Sequence, residues 1–333
     1  AEIAAYPMVG DQNMDAEYDE GVETEDKPRS GSVGILQRFL DMQNIASELD
    51  DEQLSTIGDR VVREFNIDKT SRAEWEENNK EAMDLAKQVV QKKNYPWPDA
   101  ANVKFPLLTT AAIQFAARAY PAIVPSGDIV RAKVIGRDPD GDKRARGERV
   151  ARHMSFQLTE EMEEWEADTD KLLHILPITG IVYRKTWFDP LLGRNRSEIV
   201  IPDNLIINDK AISLDTVPRV SQVFTKYPYE IQERFRTGEY IDVELGVTEG
   251  EDDDAPHEFI EQHRYIDLDE DGYPEPYIVK VHKNTSKVVS IEANFDLDDI
   301  TYKDESATEV IRIEKQQFFT KYGMLPNPSG GFH

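Results

Sequence analysis

The 333-residue chain carries 65 acidic residues against 39 basic ones, a net charge of -26, with 39% hydrophobic residues and no cysteine. The missing cysteine excludes disulfides, thiolate nucleophiles and thiolate zinc sites together. The charge excludes tight phosphate binding by the chain as a whole unless local basic patches invert the field.

Taken in chain order, residues 11 to 26 hold eight Asp or Glu and almost no large apolar side chains, a composition that cannot offset the entropy of ordering. Residues 1–32 are therefore expected to form an acidic disordered tail. The opening AEIAAYPMVG has neither a basic nor a long apolar region, and no apolar run approaches the ~18 residues that span a bilayer, so neither secretion nor membrane insertion is expected.

A mainly helical region is expected over 33–180. Leu54, Ile57, Val61 and Phe65 fall on one helical face, and Ser71 to Glu74 has a capping-box pattern opening a helix that turns Trp75, Ala82, Ala86 and Val89 inward. Lys92, Lys93 and Asn94 suit the C-terminus of that helix, and Tyr95-Pro96-Trp97-Pro98 then makes a rigid corner, since proline lacks an amide donor and extends the residue before it. Pro106 opens a helix with Leu108, Ala111, Ala112, Phe115 and Ala119 on its apolar face, and Pro121 ends it. Lys143 to Ile175 reads as one long helix, basic at first (Lys143, Arg144, Arg146, Arg149, Arg152) and acidic in the middle (Glu160, Glu161, Glu163, Glu164, Glu166).

The period changes at Ile181, and a mixed α/β region with β-hairpins is expected over 181–333. IVYRKTWF and RSEIVIP read as strands about a DPLLGRN turn, followed by the β-branched stretch at 205–207. Tyr229 to Phe235 reads as a short helix stopped near Gly238, Glu249 to Asp254 as an acidic loop, and YIVKVH with VVSIEA as a second hairpin turning at Asn284 to Ser286. The fold class expected is α+β, without internal repeats.

Candidate chemistry is sparse. Asp267, Asp269 and Asp271 alternate in a tight acidic string that ends at Gly272, a pattern that can converge on a hard cation. Ile278 stands where an EF-hand would place a carboxylate, and Pro274 and Pro276 oppose a helical continuation, so a turn between strands is the expected role. The six histidines (His153, His174, His257, His263, His282 and His333) show no zinc-ligand spacing, and the chain has no phosphate loop, dinucleotide fingerprint or nucleophile elbow. No catalytic, metal or cofactor residues are assigned, no cofactor is expected, and a non-enzymatic protein is expected. The basic block from Arg131 to Arg152 reads as an intersubunit or solvent-facing surface answering the acidic block after it, with phosphate contact as the alternative. Trp75, Trp97, Trp165 and Trp187 suit core or interface anchors better than a base-stacking platform.

Residues 68 to 124, from DKTSRAEWEENN to RAYPAIV, closely resemble the N-terminal body of bacteriophage portal proteins, with NYPWP, KFPLLT and RAYPA as the most specific strings. GIVYRKTWFD at 180–189, IDLDEDGYPEPYIV at 266–279 and FFTKYGMLPNPSGGF at 318–332 extend the resemblance. It implies a portal-like fold whose 33–180 region is a wing-like body. The subunits would form a homo-oligomeric ring, commonly of twelve, at one capsid vertex of the virion, assembled in the host cytoplasm. Its implied partners are the major capsid protein, the terminase packaging motor, tail adaptor proteins and double-stranded DNA passing without sequence specificity, with no membrane involved. Portal subunits are usually longer, with further sequence after the GGF string, which leaves open whether the third region continues past residue 333. Two other functions stay open: a head-to-tail adaptor without a channel, and a metal-dependent hydrolase built on the Asp267 loop.

Overall fold

In a computed structural model, the structure describes residues 33–89, 95, 97, 105–189, 192–246, 252, 254–270, 272–302 and 310–324. The expected tail over 1–32 lies outside them. Among the described residues are seven α-helices: α1 (Val33–Asp41), α2 (Asp51–Ser71), α3 (Ala73–Ala86), α4 (Leu107–Ile123), α5 (Asp142–Phe156), α6 (Trp165–Thr179) and α7 (Pro228–Thr237). The strands are β1 (Ile181–Asp189), β2 (Arg194–Val200), β3 (Leu205–Ile206), β4 (Arg219–Lys226), β5 (His257–Ile266), β6 (Glu275–His282), β7 (Val288–Ala293), β8 (Ile300–Tyr302), β9 (Val310–Ile313) and β10 (Phe319–Gly323). The architecture is α+β, with every strand pair antiparallel.

A five-stranded sheet ordered β3-β4-β5-β6-β7 forms the centre. Its middle strands are covered on both sides because successive side chains point to opposite faces. Ile260 enters a core with Phe39, Ile45, Val61, Phe65, Tyr277 and Ile291, while Phe259 next to it enters a second core with Ile231, Tyr240 and Val289. Full burial of side chains of this size contributes about 1.5–3 kcal/mol each, so α1 and α2 are held to the sheet by the first core. Gly58 of α2 makes the approach possible. A Cβ there would lie 1.9 Å from the Ser286 carbonyl oxygen in the β6–β7 turn, where Ser286 itself has φ 56°.

A three-stranded sheet, β10-β1-β2, stands beside this centre. The β1–β2 hairpin forms as its alternation predicts, and β10 pairs with the other edge of β1, Ile181 opposite Gly323. Two strings far apart in sequence, GIVYRK and FFTKYG, are thus neighbours. The second predicted hairpin is β6–β7, and α7 ends at Gly238 with φ 78° as expected. The predicted acidic loop at 249–254 lies mostly outside the described residues.

The helices differ from expectation at four points. The capping box forms one helix earlier: Asp50 Oδ1 accepts from the Gln53 amide at 2.8 Å and Gln53 Oε1 accepts from the Asp50 amide at 3.2 Å, opening α2. Ser71 is instead the last residue of α2, its hydroxyl donating to the Asp68 carbonyl, which leaves Arg72 to cap α3 without a side-chain bond. Next, α3 stops at Ala86 because Gln88 takes φ 55°, so Val89 is exposed rather than inward; Lys92, Lys93 and Asn94 lie outside the described residues. Pro121 sits within α4, which continues to Ile123, since proline near a C-terminus forfeits only one backbone bond. Finally, the expected helix from Lys143 to Ile175 is two helices. A π-type turn at Gln157–Glu161 widens the ladder and Met162 leaves helical geometry, with φ -95° and ψ 73°, as it buries its side chain.

Candidate assembly interface

The helices α3, α4 and α6 pack together, while α5 rests on the stretch around Val130 and Ala132, and small residues serve both contacts. Ala112 and Ala116 of α4 are buried, and Ala116 packs with Leu172, Leu173 and Leu176 of α6 and Val182 of β1. Ala111, expected on this face, is exposed, and Ala116 takes its place because the buried stripe is rotated. In α5 only Ala151 and Ser155 are buried, with Ser155 Oγ accepting the Val130 amide at 3.0 Å. A Cβ on Gly147, one turn earlier, would already lie 3.0 Å from Ala132. Small side chains bring backbones close but bury little area, so each helix is left with a broad outward face.

Those faces are apolar to an unusual degree. About half of the large apolar side chains exposed among the described residues fall between Leu85 and Phe156. They include Tyr95 (85%) and Trp97 (64%) of the expected corner, whose prolines lie outside the described residues, then Phe105 (78%) and Leu107 (69%) at the entry of α4, and Val150 and Phe156 on α5. Single exposed apolar residues are ordinary, whereas a concentration of them marks a surface that meets another molecule.

Charge is sorted along α5 and the block that follows it. Arg146, Arg149 and Arg152 of α5 are exposed and make no ion pair among the described residues, while Arg144 reaches Glu148 at 3.1 Å within the helix. Within the chain, these arginines make no ion pair with the acidic block after α5 among the described residues. Glu163 and Glu164 face Arg194 at 3.8 and 3.7 Å, and Glu164 faces Arg196 at 3.5 Å, both arginines coming from β2. The break at Met162 turns Glu163 and Glu164 toward the sheet, which leaves Arg146, Arg149 and Arg152 without an intrachain counterpart among the described residues.

Three tryptophans sit against cations within the chain. Arg72 lies 4.9 Å from the Trp75 ring centre, Arg184 lies 5.3 Å from Trp165, and Trp187 is flanked by Lys185 and Arg196. Each contributes about 0.5–2 kcal/mol depending on burial. Among the described residues no cation covers Trp97.

The densest ionic chemistry lies inside the fold. Glu261 on β5 accepts from Lys185 Nζ at 2.7 and 2.9 Å and lies 2.8 Å from His263 Nε2, with all three side chains nearly closed off from solvent. Burial alone would raise the Glu261 carboxyl, but Lys185, His263 and Lys280 outweigh it and hold it well below the usual carboxylate range. Burial pushes His263 down despite the adjacent carboxylate. Farther along the sheet, His257 Nδ1 and His282 Nε2 are 3.1 Å apart, and His282 Nδ1 lies 2.7 Å from the Thr285 hydroxyl. The partners are so close that these groups tie strands together, and no cleft opens onto Glu261. No single residue in the sequence announces this network. Its one signal is polar side chains in both registers of the strand HEFIEQHRYI.

The acidic string at 267–272 joins β5 to β6, with the Gly272 amide donating to Asp267 Oδ2 at 2.9 Å and positive φ at Glu270 and Gly272. Asp271 lies outside the described residues. Among the described residues no group of three or more His, Asp or Glu is placed to hold a metal ion, and no helix is long and apolar enough to cross a membrane. His153 is exposed, His174 lies near the Asp170 carbonyl oxygen, and His333 lies outside the described residues. A scan against protein-family models found no match for this chain, and a search of curated proteins found none either.

Proposed function

We propose that the chain is a bacteriophage portal subunit: a non-enzymatic assembly protein with a portal-like fold. Copies of it form a ring at one capsid vertex through which double-stranded DNA enters and leaves. The observation that carries this is the concentration of exposed apolar side chains between Leu85 and Phe156, along α3, α4, α5 and the stretches between them, which suits contact with neighbouring copies. Its first part, through α3 and α4, overlaps residues 68 to 124, in which the portal resemblance is strongest. The charge supports the same function. Twelve copies would carry about -300 charges, and acidic walls within about 8 Å of phosphate repel it at physiological salt. A conduit requires passage without adhesion, because Lys and Arg contacts that release counterions would hold the DNA.

In this role the ring docks a packaging motor and later a tail, seats against the major capsid protein, and uses no cofactor. Electron microscopy of the purified protein, with its mass in solution, tests the proposal. Rings with a central hole and about twelve subunits are the expected outcome. A monomer at all concentrations would refute it, and a small oligomer formed only with a partner would favour a head-to-tail adaptor.

A further inference from the structure

We infer that the outward face of α5 docks onto the exposed stripe of α3 in a second copy of this chain. The contact rests on the assembly proposed above and assigns it two surfaces.

On α5, the residues held against the subunit are Gly147, Ala151 and Ser155, spaced four apart along one line of the helix. Arg146, Arg149 and Phe156 lie on the opposite side with Arg152 at its margin, all exposed, and Val150 flanks them. The face is basic with an apolar edge. On α3, Glu74, Glu77 and Glu81 are spaced three and four residues apart, which places them on one helical face, and Leu85 continues the line at 52% exposure. These three carboxylates are exposed and make no ion pair among the described residues. This face is acidic with an apolar end.

Three uncompensated arginines and three uncompensated glutamates therefore lie on helices of nearly equal length, 15 and 14 residues or about 21–22 Å. Each carries apolar area that water contacts in the isolated subunit. Guanidinium groups suit the partnership, since they pair with carboxylates through two parallel bonds and shed water more readily than ammonium groups. The two surfaces differ, so the contact is head-to-tail: each subunit offers α5 to one neighbour and α3 to the other, and the chain of contacts closes when the rotation per step divides the circle. A duplex phosphate backbone is the competing occupant of α5, but it would leave the α3 stripe unexplained.

A charge-exchange experiment on the full chain tests the pairing. Arg149→Glu with Arg152→Glu, and separately Glu77→Arg with Glu81→Arg, change exposed positions that bear no ion pair among the described residues. Each double variant is expected to keep its folded circular dichroism and to lose association about tenfold or more in sedimentation, by like-charge apposition. Combining all four changes is expected to restore association, because the exchange recreates opposite charges. Association of the two double variants as in the parent, or no recovery in the combined variant, would overturn the pairing while leaving the parent's assembly intact. If the arginine variant instead lost binding to a double-stranded DNA fragment with its association unchanged, α5 would be a nucleic-acid surface and the pairing would be wrong. A parent chain that stays monomeric would overturn the ring and the pairing together.

Discussion

The central sheet and the helices α3, α4 and α5 solve opposite problems with the same residue types. Phe259 is fully buried in the sheet, stacked on Phe224 with ring centres 5.6 Å apart, whereas Phe156 at the end of α5 is 51% exposed. Arginine divides likewise. Arg219 forms two bonds to buried Asp68, at 2.7 and 2.8 Å, while Arg149 makes no ion pair among the described residues. The sheet completes its interactions within the chain, whereas α3, α4 and α5 leave apolar and charged side chains exposed. Intramolecular stability is thereby concentrated in the sheet.

Four measurements would break or sharpen this contrast. The largest effect is expected from Phe259→Ala, which should lower unfolding free energy by about 3–5 kcal/mol, against less than about 0.5 kcal/mol for Phe156→Ala. Equal losses in denaturant titrations would erase the distinction. Next, Asp68→Ala should cost about 3 kcal/mol, since it leaves Arg219 only the longer contact to Glu64 at 3.6 Å and takes a bond from Asn208 Nδ2, which donates to Asp68 at 2.9 Å. A smaller third effect is the loss of the helix cap: Asp50→Ala should remove about 1 kcal/mol, visible in the thermal midpoint.

The fourth measurement concerns acid. Burial, with the ring of His257 and then Lys287, holds His282 down to about 4, against an ordinary value of 6.5. Between those values the unfolded chain binds the proton and the folded chain does not, so stability falls as pH drops from 6.5 toward 4 and is level in this respect above 6.5. His282→Gln should flatten that slope. An unchanged slope would remove the histidine pair from the sheet's acid response.

Much of the fold could be read from periodicity. Val61 and Phe65 are buried on α2 as their spacing indicates, and both predicted hairpins form. What periodicity missed was decided by competition between local and distant partners. Ser71 can begin a helix, but its hydroxyl serves the Asp68 carbonyl and the Asp209 amide, so α3 starts at Arg72 without a side-chain cap. The charge blocks from Lys143 to Glu166 look continuous in one dimension, and only the arginines of β2 show why the helix breaks where it does. Likewise, the sequence border expected at residue 180 is crossed by packing: α1 and α2 share a core with strands more than a hundred residues away. The exposed face of α5 was partly readable as a basic block, whereas its apolar edge and its lack of an intrachain counterpart required the three-dimensional arrangement.

Gly58 gives α2 a contact with the β6–β7 turn in which backbone meets backbone, with no side chain between them to rotate or yield. Under a pull or push along α2, such a joint transmits displacement instead of absorbing it, because nothing at the contact can be compressed. Motion of the helix would therefore reach the Ser286 turn nearly undiminished, and the sheet would follow as one piece. This joint makes the α2–hairpin unit a stiff lever, so that any flexing would have to occur elsewhere in the chain.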